Sequence, residues 1–128
     1  MTAVVTKYFT PPEAEKTLPL VKQIVKDIID TSNEVKEIAE TITAKYEDDP
    51  KVISLIEKIK GFVKELEEIG CYYKEYNFIY GLVDFPAIIN SKEVFLCWRS
   101  DETEIKFYHD IESGYIGRKL IPEEYFIN

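Results

Sequence analysis

The side chains best suited to chemistry are few and sit close together in the chain. His109 is the only histidine, Trp98 the only tryptophan, and Arg99 and Arg118 the only arginines among 128 residues, against 14 lysines. A guanidinium offers a planar fork that grips a carboxylate or phosphate through two hydrogen bonds, which an ammonium cannot do. Imidazole is the side chain whose charge changes near neutral pH, and it is a common metal ligand. Asp84 stands between Val83 and Phe85 in an apolar run. A carboxylate there either faces solvent or is buried with a partner. Arg99 is the candidate partner, in a salt bridge that fixes a hairpin; the functional counterpart is an Asp84 aimed at a metal, an amine or a proton.

His109-Asp110-Ile111-Glu112 is the most metal-like cluster, and Asp84 or Glu102 could complete a set of one imidazole with carboxylates. With one histidine and neither HExxH nor CxxC spacing, no metal and no cofactor are expected; His109, Glu112 and Glu102 are the ligand candidates if a metal is held. His109, Asp84 and Glu112 are the candidate catalytic groups. Gly114-Tyr115-Ile116-Gly117-Arg118 could cradle an anion, with glycines allowing close backbone approach. Its plainer role is a glycine-shaped turn with Arg118 tied to Glu112 or to carbonyls. Arg99 and Arg118, with Trp98 and Tyr108 beside them, are the expected ligand-binding residues. No P-loop or Rossmann fingerprint is present. Cys97 with His109 is a conceivable nucleophile pair. Period-2 alternation argues against it: Cys97 and Arg99 share one strand face, while Ile105, Phe107 and His109 fall on an apolar set expected to face the helices.

The elements that must position these groups read clearly. Thr10 is an N-cap, Pro11 takes the first helical position, and Glu13 closes a capping box. A 3-4 spacing then runs through Leu18, Val21, Val25, Ile28, Ser32, Val35, Ala39, Ile42 and Tyr46. It predicts one continuous helix from Pro11 to Tyr46, although Asp30-Thr31-Ser32-Asn33 offers a possible break. Asp49 caps a second helix with Pro50 at its first position, and Gly70 ends it, unless the helix runs on through Tyr73 and Tyr76. After Gly81 the period changes. Strands are expected over Gly81–Ile89, with Pro86 marking an edge or bulge, over Glu93–Arg99 after an Asn90-Ser91 turn, and over Glu104–His109. The fold class is therefore α+β: a long N-terminal helical hairpin, coiled-coil-like, packed on a small three-stranded antiparallel β-meander. The chain is expected to be a single domain, 1–128, with a helical part at 1–80 and a β unit and tail at 81–128.

At this point the motifs resemble a known set. Gly81-Leu82-Val83-Asp84-Phe85-Pro86-Ala87, Leu96-Cys97-Trp98-Arg99, and His109 followed by Gly114-Tyr115-Ile116-Gly117-Arg118 are similar, in order, to the prokaryotic family catalogued as domain of unknown function 2203. Tyr8-Phe9-Thr10-Pro11 with Leu18-Pro19-Leu20 resembles its start. Two positions depart from the family pattern: Ser100-Asp101-Glu102 replaces Leu-Gly-Glu, and Tyr108 replaces a tryptophan. The resemblance implies a fold and the location of a site, and names no reaction.

The net charge of −8 is spread evenly: residues 1–69 carry 14 acids and 10 bases, and residues 70–128 carry 10 and 6. No basic face is visible for duplex nucleic acid or for anionic lipid. No apolar run reaches about 18 residues, so no membrane span is expected, and the first residues lack signal-peptide character. A cytoplasmic protein with two reduced thiols, Cys71 and Cys97, follows. The expected function is an oligomeric binding or interaction module, a homo-oligomer through its helices, with an anion site in the β unit. The alternative is a small enzyme, or a metal- or small-ligand-binding protein, using Asp84, Arg99, His109, Glu112 and Arg118. Base stacking on exposed aromatics ranks third, against the acidic charge.

Overall fold

Thr10 opens the first helix through a reciprocal pair of bonds. Its hydroxyl accepts from the Glu13 amide at 3.2 Å, and its own amide donates to the Glu13 carboxylate at 2.9 Å. The computed structural model describes residues 6–42 and 45–127. Helix α1 (Pro11–Thr41) is continuous through the segment where a break was possible. Thr31 and Asn33 turn their polar atoms back onto the carbonyls of Asp27 and Ile29, so these weak formers are satisfied without interrupting the helix. The helix ends at Thr41, short of the expected Tyr46, which instead starts a 3-10 turn over Tyr46–Asp48. Part of the expected extension, residues 43–44, lies outside the described residues.

Asp49 caps α2 (Pro50–Ile69) by accepting from the amides of Lys51 and Val52, as its sequence predicts. Gly70 then takes the left-handed conformation, φ 110°, that closes a helix C-terminus. The chain does not continue as helix past it. Tyr72–Glu75 forms strand β1, a correction to the reading that left residues up to 80 helical.

The sheet has five strands rather than three. β1 is followed by β2 (Gly81–Ile89), β3 (Lys92–Arg99), β4 (Phe107–Asp110) and β5 (Lys119–Leu120), all antiparallel and in sequence order. The two added strands are short and sit at the sheet edges, where four and two residues leave little periodicity to detect. Asn90 and Ser91 join β2 to β3 with positive φ angles of 53° and 63°, the geometry of a two-residue hairpin turn. Pro86 is tolerated because β1 pairs with β2 only as far as Asp84. Beyond that point β2 is locally an edge, and the Pro86 carbonyl accepts from the Phe9 amide at 2.8 Å.

One sheet face, with Val83, Phe85, Ala87, Ile89, Val94, Leu96, Trp98 and Tyr108, joins Phe9, Leu18, Val21, Val25, Ile28 and Leu66 in a single core. The other face carries Leu82, Asp84, Pro86, Phe95, Cys97, Arg99, Phe107 and His109, by the pairing of β2 with β3 and of β3 with β4. No helix among the described residues is long and apolar enough to cross a membrane.

Candidate functional site

The face turned away from the helices collects three unlike polar side chains. Asp84 on β2 is paired directly across from Cys97 on β3, and His109 on β4 is one diagonal step away, opposite Phe95. All three are buried, at 2, 1 and 3% exposure. One donor atom from each lies within 4.8 Å of the other two. His109 Nε2 is 3.1 Å from Asp84 Oδ1, and Nδ1 is 2.7 Å from the Asp110 carbonyl. A carbonyl only accepts, so Nδ1 carries the hydrogen and Nε2 is turned to Asp84. A hydrogen bond at the Nε2–Oδ1 contact then needs one proton, on either atom.

Burial raises the Asp84 carboxyl above the usual carboxylate range, against the attraction of His109. Burial, with the charge of Asp84, pushes the Cys97 thiol up to about 12, while the Arg118 guanidinium works in the opposite sense. Phe95 lies beside the imidazole across the strand pair, ring centres 5.7 Å apart and tilted by 50°.

The third strand departs from the alternation that its sequence predicts. Counting by twos from Ile105 put His109 against the helices and separated it from Cys97. The strand begins only at Phe107, and residues 103–106 are irregular. Ile105 enters the core with its amide bonded to Glu15 of α1, and the chain crosses the sheet plane before β4 starts. Phe107 and His109 therefore share the face of Cys97, and Tyr108 faces the core.

The arginines form a second group. Arg99 is fully engaged: Nε and Nη2 donate to the two Asp101 oxygens at 2.5 and 2.8 Å, and Nη1 donates to the Tyr115 hydroxyl at 2.6 Å. The Asp101 bonds raise the Arg99 guanidinium further above its ordinary range and lower the Asp101 carboxyl. Arg118 differs. Its guanidinium carbon lies 4.2 Å from the Phe107 ring centre and 4.5 Å from that of Tyr115. Its bonds, to Glu102 at 3.0 Å and to the Cys97 carbonyl at 3.5 Å, run through Nη1 alone. Burial works against the Arg118 charge, and Glu102, with Cys97 and Tyr115, more than offsets it, leaving the group raised. The same Glu102 oxygen also accepts from the Arg99 amide at 2.7 Å.

Asp84 thus meets His109 and Cys97, not Arg99. Glu102 meets Arg118, and Glu112 is exposed in the turn after β4, with no hydrogen bond or ion pair to either group among the described residues. Trp98 and Tyr108, expected beside a ligand, lie in the core: Trp98 has no exposed surface, and its indole donates to the Glu102 carbonyl at 2.9 Å. Cys97 and Tyr115 carry more of the geometry than their spacing suggested. The signal that could have found Cys97 is its cross-strand position opposite Asp84, available once the hairpin turn is fixed at Asn90-Ser91.

The family described as an uncharacterised conserved protein (DUF2203) matches residues 7–121. The chain belongs to that family. Its match runs from the segment before Thr10 through β5 and includes every residue of both polar groups. No curated protein and no solved structure matches this DUF2203 chain significantly.

Proposed function

We propose that this DUF2203 protein is a cytoplasmic binding module that holds a small carboxylate or phosphate anion at Arg118. The observation that supports it is the state of that one guanidinium. Two aromatic rings lie against it, and its hydrogen bonds to oxygen among the described residues run through Nη1, with the Cys97 thiol beside it. Nε and Nη2 form the edge that grips an anion through paired bonds, and a guanidinium already held in place loses little entropy on binding. Arg99 has no such edge to offer, so its role is to anchor Tyr115 through the 2.6 Å bond to the hydroxyl.

The test is calorimetric titration with inorganic phosphate and with malonate. Arg118→Ala is expected to weaken binding at least about tenfold, one charge-assisted pair being worth on the order of 1.5–3 kcal/mol. Arg118→Lys should recover only part of it, and Arg99→Gln should retain most of it. Absence of heat with both anions, or equal losses in Arg99→Gln and Arg118→Ala, removes the reading.

The Asp84–His109 contact favours a second reading, a small enzyme in which His109 transfers a proton and Asp84 orients it. Turnover of phosphate or carboxylate esters that disappears in His109→Gln would carry this reading; a wild-type rate no faster than buffer would end it. In either reading the helices pair between copies as a coiled-coil-like homo-oligomer, because the apolar stripe of α1 continues through Val35 and Ala39 where burial is only partial.

A further inference from the structure

We infer that Asp84, Cys97 and His109 form a binding site for one divalent transition-metal ion of the zinc class, adjacent to the anion contact at Arg118 and built from a different set of donor atoms. The three supply one carboxylate, one thiol and one imidazole, each from a different strand, with donor atoms within 4.8 Å of one another. Zinc bonds of about 2.0–2.3 Å in a tetrahedron separate neighbouring donors by roughly 3.3–3.7 Å. His109 Nε2 and Asp84 Oδ1 stand 3.1 Å apart. The sulfur lies within 4.8 Å of both, so tetrahedral spacing asks for a closing shift of no more than about 1.5 Å.

Three further features point to a metal. A ligating imidazole ordinarily donates its second nitrogen's hydrogen to a carbonyl or carboxylate, which fixes its orientation. His109 has that arrangement, with Nδ1 2.7 Å from the Asp110 carbonyl and Nε2 aimed inward. Charge balances as well. A divalent ion takes the place of the proton in the Asp84–His109 contact and of the proton on sulfur, so carboxylate and thiolate together neutralise it in a buried site. The donor set is also selective. One sulfur and one imidazole nitrogen suit zinc or cobalt and disfavour magnesium and calcium, which take oxygen. No fourth His, Cys, Asp or Glu atom joins the group among the described residues. One coordination position is therefore left for water or a small ligand.

The experiment uses the full chain, dialysed against a chelator and then titrated with cobalt(II) and with zinc(II) in buffer free of phosphate and carboxylate. Failure of the anion reading thus leaves the outcome untouched. Expected are one equivalent of metal per chain by native mass spectrometry and a near-ultraviolet thiolate-to-cobalt band. Cys97→Ala should lose the band, whereas Cys71→Ala, which removes the other thiol, should keep it. Asp84→Asn and His109→Gln should weaken zinc by more than about tenfold. Circular dichroism checks that each variant is folded. X-ray absorption at the zinc edge of the wild-type complex decides the matter if a variant is not, with one sulfur and two or three nitrogen or oxygen donors expected. Folded wild-type protein with no thiolate–cobalt band, zinc with no sulfur neighbour, or loss of the band in Cys71→Ala would overturn the assignment.

Discussion

Trp98 shows how one residue can belong to the fold and to the site together. Its ring fills the core, and its indole nitrogen holds the Glu102 carbonyl, whose side chain in turn holds Arg118. Trp98→Phe should therefore cost about 1–3 kcal/mol, from a small cavity and an unpaired carbonyl. The loss should appear in chemical denaturation as a lower midpoint with an unchanged slope. The same substitution should loosen the turn over residues 100–103 and weaken anion binding at Arg118 without touching it. A variant that loses stability but keeps full anion affinity would separate the two roles.

At the scale of elements, the caps carried most of what was legible in advance. Thr10 with Glu13, Asp49 with Pro50, and Gly70 each name a helix end through a specific local bond, and all three occur as read. Thr10→Ala is expected to cost about 1 kcal/mol, measurable by thermal denaturation. The Glu13 carboxyl lies below its usual range because the Thr10 amide and hydroxyl bond to it. Its contribution is thus complete above the unfolded value and fades as pH falls from there through the lowered one. Glu13→Gln, which can still accept from the Thr10 amide, should flatten that part of the stability–pH curve. The edge strands β1 and β5 were not legible, since pairing with a neighbour, rather than their own pattern, makes them strands. The face of His109 was misread for a related reason: alternation holds only inside a strand, and the irregular residues 103–106 reset the phase. Asp84 and His109 were identifiable as chemically unusual from their types alone, whereas Cys97 needed the pairing register.

At the scale of the molecule, the two helices differ in how completely they are covered. The first two-thirds of α1 buries Leu18, Val21, Val25 and Ile28 against the sheet and α2, while Val35, Ile38 and Ala39 remain partly exposed. A monomer would leave the exposed part of that stripe in water, at a cost on the order of 25 cal/mol per Å². Light scattering is expected to return twice the 14.9 kDa chain mass or a higher multiple. Val35→Glu should return the monomer mass with secondary structure intact. A wild-type monomer at high concentration would remove the helical seam from the account.

The strict sequence order of the strands has a kinetic consequence. Asp84, Cys97 and His109 are separated only by consecutive antiparallel connections within the stretch 84–109. The entropy of closing a loop grows with its length, and chains dominated by near-neighbour contacts fold faster. Each closure that brings these three residues together is short, and none waits for the ends of the chain to meet. The polar centre can therefore assemble with the β2–β3–β4 meander itself, before α1 docks to cover the opposite face. In a refolding experiment, hydrogen-exchange protection in β2 and β3 should appear no later than protection in α1.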